Sequence, residues 1–233
     1  LTMNFFEIIL NSFKLIYSLD VALYNIIFLS LRVSLIALLF SSILALILGY
    51  ILAVKDIFFK NIVLIFLNAF MGTPPVVVGL LVYFLLARGG PFGILDLLYT
   101  PYAMIFAQSI IIFPIVSSLS YEVFSQKWKE FIDHFRAFNI PFFIRAIIII
   151  RHSYFIIITI VFSGFGRAIS EVGAVMIVGG NIENYTRVMT SSIALETRMG
   201  NLNYAMALGI VLIIITIFIN AFIYLIKFNK RLI

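Results

Sequence analysis

The sequence predicts an all-α integral membrane protein with five transmembrane helices, an N-terminal amphipathic helix and a cytoplasmic helix-turn-helix. Three observations carry that prediction. Hydrophobic residues fill 64% of the 233 positions and charged residues only 11%, where a soluble domain averages about 25% charged; lipid must therefore wet most of the surface. The stretches Val33–Val54, Asn61–Ala87, Tyr99–Tyr121 and Tyr204–Ile226 contain no charge at all, and each is close to the roughly 20 residues that cross hydrocarbon as a helix. The basic residues, finally, fall mainly between and after these stretches on one side, as membrane topology requires.

In chain order, the first twenty residues mix apolar positions at helical spacing with Glu7, Lys14 and Asp20. They read as an amphipathic helix lying in the interface, and no cleavable signal peptide is evident. Val33–Val54 is the first span, with Arg32 at its outer mouth, where the side chain can snorkel. The second span contains Pro74 and Pro75. Prolines remove backbone donors, and lipid tolerates no exposed irregular backbone, so the site is either a plain packing kink or a turn facing protein or a watery cavity. Between the third span and the next, Trp128, Phe131, Phe135 and Phe138 recur at spacings of three and four, one apolar face of a helix. Asn139 precedes Ile140-Pro141 and tolerates a left-handed turn, placing the corner of a helix-turn-helix there. That segment is either an interfacial helix or a lever that docks on a cytoplasmic partner.

The fourth span, from about Ser153 to about Val178, is interrupted only by Arg167 and Glu171. Four residues apart on a helix, they share a face and can pair. A charge near mid-membrane costs at least about 2.5 kcal/mol and faces a bundle interior, a partner or an aqueous path. The glycines at 164, 166, 173, 179 and 180 allow close helix approach or bare backbone along a passage. The pair is either interhelical glue or part of a passage for a polar solute.

Five spans put Lys55, Lys60, Lys127, Lys129, Arg136, Arg145, Arg151, Lys227, Lys230 and Arg231 on one side, which the positive-inside rule makes cytoplasmic. The N-terminus is then outside and the C-terminus inside. The basic residues are thus topology signals rather than a nucleic-acid footprint, despite the net charge of +6. With no cysteine, disulfides and thiolate metal sites are excluded, and His134 and His152 suggest no metal. No cofactor is expected, and no catalytic cluster converges on a span. The sequence lacks a Gly-x-x-x-x-Gly-Lys-[Ser/Thr] loop, so the chain carries no ATP site of that type. Asn184-Tyr185-Thr186 fits a glycosylation acceptor that a bacterial protein would leave bare.

Three segments carry a family resemblance: "GTPPVVVGLLVYFLLARGGPFG" (Gly72–Gly93), "GFGRAISEVGAVMIVGGNI" (Gly164–Ile182) and "TRVMTSSIALETRMGN" (Thr186–Asn201). From about Leu29 to Asn220 the chain resembles the membrane subunit of a type I ATP-binding-cassette importer, and within that group the tungstate permeases first and the molybdate permeases second. The resemblance implies a homodimer in a bacterial cytoplasmic membrane, two copies of an ATP-binding subunit below it, and a secreted binding protein delivering an oxyanion from above. It implies a permease domain over residues 21–227, after the amphipathic helix of residues 1–20, with a coupling loop at 125–145 and a cytoplasmic tail at 228–233.

The family's Glu-Ala-Ala-x-x-x-Gly docking motif falls on Asp133, His134, Phe135 and Asn139, of which only the acid and the turn-capable residue keep the pattern. The expected coupling residues are Glu130, Asp133, His134, Phe135, Arg136, Ala137, Asn139 and Pro141. The expected pathway residues are Pro74, Pro75, Gly164, Gly166, Arg167, Glu171 and Gly173, with Arg167 attracting a dianion and Glu171 preventing tight trapping. Other solutes, molybdate or sulfate, fit the same build. An ion-driven secondary transporter is the remaining alternative, although the sequence shows no inverted repeat.

Overall fold

The computed structural model describes residues 5–230. All regular elements among them are helical: α1 Phe5–Tyr17, α2 Val21–Val54, α3 Lys60–Gly72, α4 Pro75–Leu86, α5 Pro101–Ala137, α6 Phe142–Ile169, α7 Gly173–Gly179, α8 Met189–Met199 and α9 Leu202–Lys230, with a 3₁₀ turn at Gly93–Leu95. Four of them, α2, α5, α6 and α9, are long and apolar enough to cross a membrane, and the bent pair α3–α4 supplies the fifth crossing if counted as one span.

The amphipathic start is a helix whose one inward hydroxyl, Ser12 Oγ, donates to Asn203 O of α9 at 2.8 Å, while Phe6, Leu10 and Tyr17 face outward. Glu7 in its first turn and Lys14 in its last complement the helix dipole. Residues 1–4 of the expected helix and residues 231–233 of the expected tail, with Arg231, lie outside the described residues. Residues 228–230 continue α9.

The first span begins earlier than expected. Asp20 Oδ1 accepts from Leu23 N at 2.8 Å and caps a helix of 34 residues, about 51 Å long. Arg32 therefore lies on the exposed side within this helix rather than at its mouth. The second span is not straight: the chain bends by 107° between α3 and α4. Thr73 and Pro74 both take extended backbone angles, because each precedes a proline that disfavours the helical region.

The third span and the docking segment form one helix. α5 runs 37 residues without interruption, about 55 Å against a hydrocarbon core of about 30 Å. Its last turns therefore project from the membrane, and α6 returns beside them. The expected helix-turn-helix is the tip of this α5–α6 hairpin, continuous with the third and fourth spans. The fourth span stops at Ile169, well before Val178, and α7 is a separate short helix.

α2 and α5 are the central pair. Small residues let them approach: Ser41 Oγ donates to Ser109 O at 3.0 Å, and a Cβ on Gly49 would stand 3.0 Å from Tyr121 N. Close van der Waals contact and interhelical hydrogen bonds are what hold helices together in lipid. Leu38, Ala45, Ile112, Val116, Ala207 and Leu208 fill the seam between this pair and its neighbours α6 and α9.

Candidate functional site: the paired helix breaks and the hairpin tip

The fourth span breaks at Ser170–Val172. The Ser170 hydroxyl lies 2.8 Å from Gly166 O and 3.2 Å from Arg167 O, so it satisfies the last-turn carbonyls locally and competes with continued helix. Buried groups from other helices complete the satisfaction of the break. Gln108 Nε2 of α5 donates to Ala168 O at 3.1 Å, and Thr190 Oγ1 of α8 donates to Glu171 O at 2.7 Å. Backbone freed inside a membrane must be satisfied in this manner.

Glu171 is buried, 6% exposed, and its Oε1 accepts from Ala174 N at 3.2 Å. The carboxylate thus caps the first turn of α7, where unpaired amides favour negative charge. Arg167, half-buried, sits in the last turn of α6. The expected Arg167–Glu171 ion pair does not form: the ion pairs among the described residues are Lys127–Glu130 and Arg187–Glu183. Pairing at a spacing of four needs a continuous helix, and α6 ends two residues before Glu171.

The second break lies beside the first. A Cβ on Gly79 would stand 2.6 Å from Ala174 Cα, and one on Gly173 would strike the Val76 side chain. Hence α4, opened by Pro75, and α7, opened by Gly173, pack with their first turns together. Val78, Val82, Ala174, Val175 and Val178 form the shared core. Gly180, at φ +71°, ends α7 in the left-handed conformation under the Tyr99 ring.

Pro74, Pro75, Arg167, Glu171 and Gly173 are thus all at or within one turn of these breaks. Of the other two expected pathway residues, Gly166 is in the last turn before the break, its carbonyl facing the Ser170 hydroxyl, and Gly164 lies deeper in α6. A Cβ on Gly164 would meet Ile112, Val116 and Leu38 at 3.1 to 3.4 Å, so this glycine seats α6 in the α2–α5 seam. Gly166 has open space instead, and lines a cavity of about 300 Å³ with Thr159, Ser163, Thr216 and Asn220. Sequence reading missed Gln108 and Thr190; an amide in an apolar span was the one available signal.

At the hairpin tip, Asn139 takes φ +48°, the expected corner. Arg145 Nε donates to Ile140 O at 2.6 Å, and its guanidinium lies 5.9 Å from the Trp128 ring centre. Phe135 is buried in a cluster with Tyr50, Ile149 and Ile157, so it helps tie α5 to α2 and α6 and is not available to a partner. Glu130, Asp133, His134, Arg136, Ala137, Asn139 and Pro141 are exposed. Phe138, expected on the apolar face, points outward at 74% exposure, and Phe143, unnoticed in the sequence, does so at 80%. At the opposite end of α2, a cleft of about 480 Å³ is lined by Asp20, Glu183, Arg187, Glu196, Asn201 and Tyr204.

Comparison with known proteins gives concordant matches. Residues 42–231 match the model of the binding-protein-dependent transport system inner membrane component. The "Tungstate uptake system permease protein TupB" of Peptoclostridium acidaminophilum is 41% identical over 211 residues, 91% of this chain and 92% of that one. The "Probable anion ABC transporter permease protein" of Haloferax volcanii is 36% identical over 197 residues, 82% of this chain and 85% of its own. The Campylobacter jejuni protein with the TupB name is 34% identical over 161 residues, 69% of this chain and 67% of that one.

Proposed function

We propose, for a chain that belongs to the binding-protein-dependent transport system inner membrane components, that the two adjoining helix breaks form the oxyanion gate and that the solute is tungstate. The protein is the multi-pass membrane subunit of an ATP-binding-cassette importer for oxyanions, working with an ATP-binding subunit and a substrate-binding protein. ATP hydrolysis belongs to the separate subunit. Tungstate is favoured by the relatives that carry that name at 41% and 34% identity.

The single observation that carries the gate is that Glu171 accepts from the α7 amide and that Arg167 has no ion pair among the described residues. A dianion passing the break meets the half-buried Arg167 guanidinium, while the Glu171 carboxylate is buried and turned to the α7 amide. The contact is one side chain on a helix end, which favours entry while permitting release. Pro74 and Pro75 keep α4 from fusing with α3, so that non-helical backbone remains available beside α7. In this reading Glu171 positions the break and does not repel the solute.

Two copies of the chain face each other, with the breaks turned toward the two-fold axis and shielded from acyl chains. The hairpin tip, with Phe138, Asn139 and Phe143, enters the ATP-binding subunit on the cytoplasmic side, so the N-terminus is outside. The cleft at the other end receives the binding protein. The test is ATP-driven uptake of metal-quantified tungstate in vesicles holding the importer, with molybdate and sulfate as competitors. Saturable uptake resistant to equimolar sulfate is expected; equal competition by sulfate overturns the tungstate assignment, and uptake without ATP overturns the importer.

A further inference from the structure

Two cavities lie along α3 and α5, one bounded by the loop after α2 and the other by α2 itself. The first, about 380 Å³, sits where α2 ends and α3 begins, lined by Asp56, Lys60, Asn61, Tyr121, Ser125 and Lys129. Asp56 is its one carboxylate against two ammonium groups, and Lys60 Nζ lies 5.4 Å from the Tyr121 ring centre. The second, about 510 Å³, is an almost wholly apolar groove whose walls include Leu44, Leu48, Val63, Phe66, Phe113 and Pro114.

Helical spacing connects the two. Pro114, Tyr121 and Ser125 are seven and four apart on α5, and Lys60, Val63 and Leu67 are three and four apart on α3, so each series follows one helix face. Between Lys55 and Lys60, Phe58 and Phe59 stand out from the loop, 93% and 56% exposed, with ring centres 4.9 Å apart. Tyr121 beside Lys60 marks the level of the lipid head groups, where tyrosine rings anchor and lysines snorkel. The polar cavity is therefore at head-group depth and the groove at acyl-chain depth.

We infer that these cavities form one binding site for an anionic glycerophospholipid. Its phosphate lies between Lys60 and Lys129, with the Asn61 amide and the Tyr121 and Ser125 hydroxyls able to hydrogen-bond its oxygens, and one acyl chain occupies the groove. The occupant is chosen by charge complementarity at one end and continuity with an apolar channel at the other; a soluble phosphate has no use for the groove. Basic pockets between membrane helices bind lipid head groups by the same chemistry. The site rests on the membrane-spanning reading alone and is independent of the solute carried.

The test is native mass spectrometry of the full chain purified in detergent, offered phosphatidylglycerol and phosphatidylcholine with the same acyl chains. Each lysine contributes about fivefold, so the protein should prefer phosphatidylglycerol roughly thirtyfold. Lys60→Ala/Lys129→Ala should bring the two lipids to near parity, Lys60→Arg/Lys129→Arg should keep the preference, and Val63→Trp, filling the groove, should lower retention of both. Parity in the unmodified protein, or preference surviving in the alanine variant, overturns the site. Displacement of the lipid by inorganic phosphate makes it a soluble-anion site, and lost capture of the ATP-binding subunit with lipid preference unchanged makes it a protein-docking face; either result also overturns it.

Discussion

Glu171 and Arg167, four residues apart in sequence, stand on opposite sides of a helix break and answer to different partners. Glu171 Oε1 accepts from Ala174 N at 3.2 Å, while Arg167, in the last turn of α6, has no ion pair among the described residues. The exchange Arg167→Glu/Glu171→Arg separates this arrangement from a simple salt bridge. A bridge would survive the exchange; here it should leave tungstate uptake as low as in Arg167→Glu alone.

The capping role of Glu171 gives a graded series. Glu171→Gln keeps an oxygen acceptor for Ala174 N and should retain most of the uptake. Glu171→Ala removes the cap and should lower the unfolding free energy by about 0.5–2 kcal/mol. Thermal unfolding in detergent, measured beside uptake, checks the pair.

Gln108 and Thr190 hold the carbonyls that the break frees. Thr190→Val strands the buried Glu171 O, at a cost of about 1–3 kcal/mol, whereas Ala168 O keeps the Glu171 amide at 3.2 Å, so Gln108→Leu should cost less. Faster proteolysis within Ala168–Gly173 should accompany the loss of stability, because the damage is local.

The close approach of α4 and α7 separates glycines by position. Gly79→Val should destabilise by about 1–3 kcal/mol, since its side chain collides with Ala174 backbone. Gly72→Ala meets nothing within 4 Å and should leave the thermal midpoint unchanged.

At the hairpin tip, Phe135→Ala should cost about 3–5 kcal/mol as a buried aromatic truncation. Phe138→Ala/Phe143→Ala removes exposed rings only, so stability should hold while capture of the ATP-binding subunit falls. Pull-down of that subunit against a thermal scan distinguishes the two effects.

Much of this architecture was legible because lipid imposes a simple code. Uncharged runs gave the long helices, and the Asn139-Ile140-Pro141 sequence gave the corner, where the structure shows φ +48°. The breaks were harder to read. Pro74 and Pro75 announced one of them, but nothing local announced that α6 stops at Ile169: Ser170, Glu171 and Val172 are compatible with helix, and the groups that stabilise the stop, Gln108 and Thr190, are distant in sequence. Spacing therefore predicted a pair where tertiary hydrogen bonds made a cap. The same limitation hid the packing role of Gly164, which depends on Ile112 and Val116 across the seam. It also placed Phe135 among docking residues, because one apolar face cannot be divided into buried and projecting positions without the returning helix α6.

The central claim, that an unpaired Arg167 at the paired breaks meets the oxyanion, is tested most directly by ATP-driven tungstate uptake in vesicles containing Arg167→Ala, its ATP-binding subunit and its binding protein. Loss of a charge-assisted contact worth about 1.5–3 kcal/mol should reduce uptake at least about tenfold, with assembly of the complex intact and partial recovery in Arg167→Lys. Uptake equal to that of the unmodified importer, from an equally assembled complex, would contradict the account.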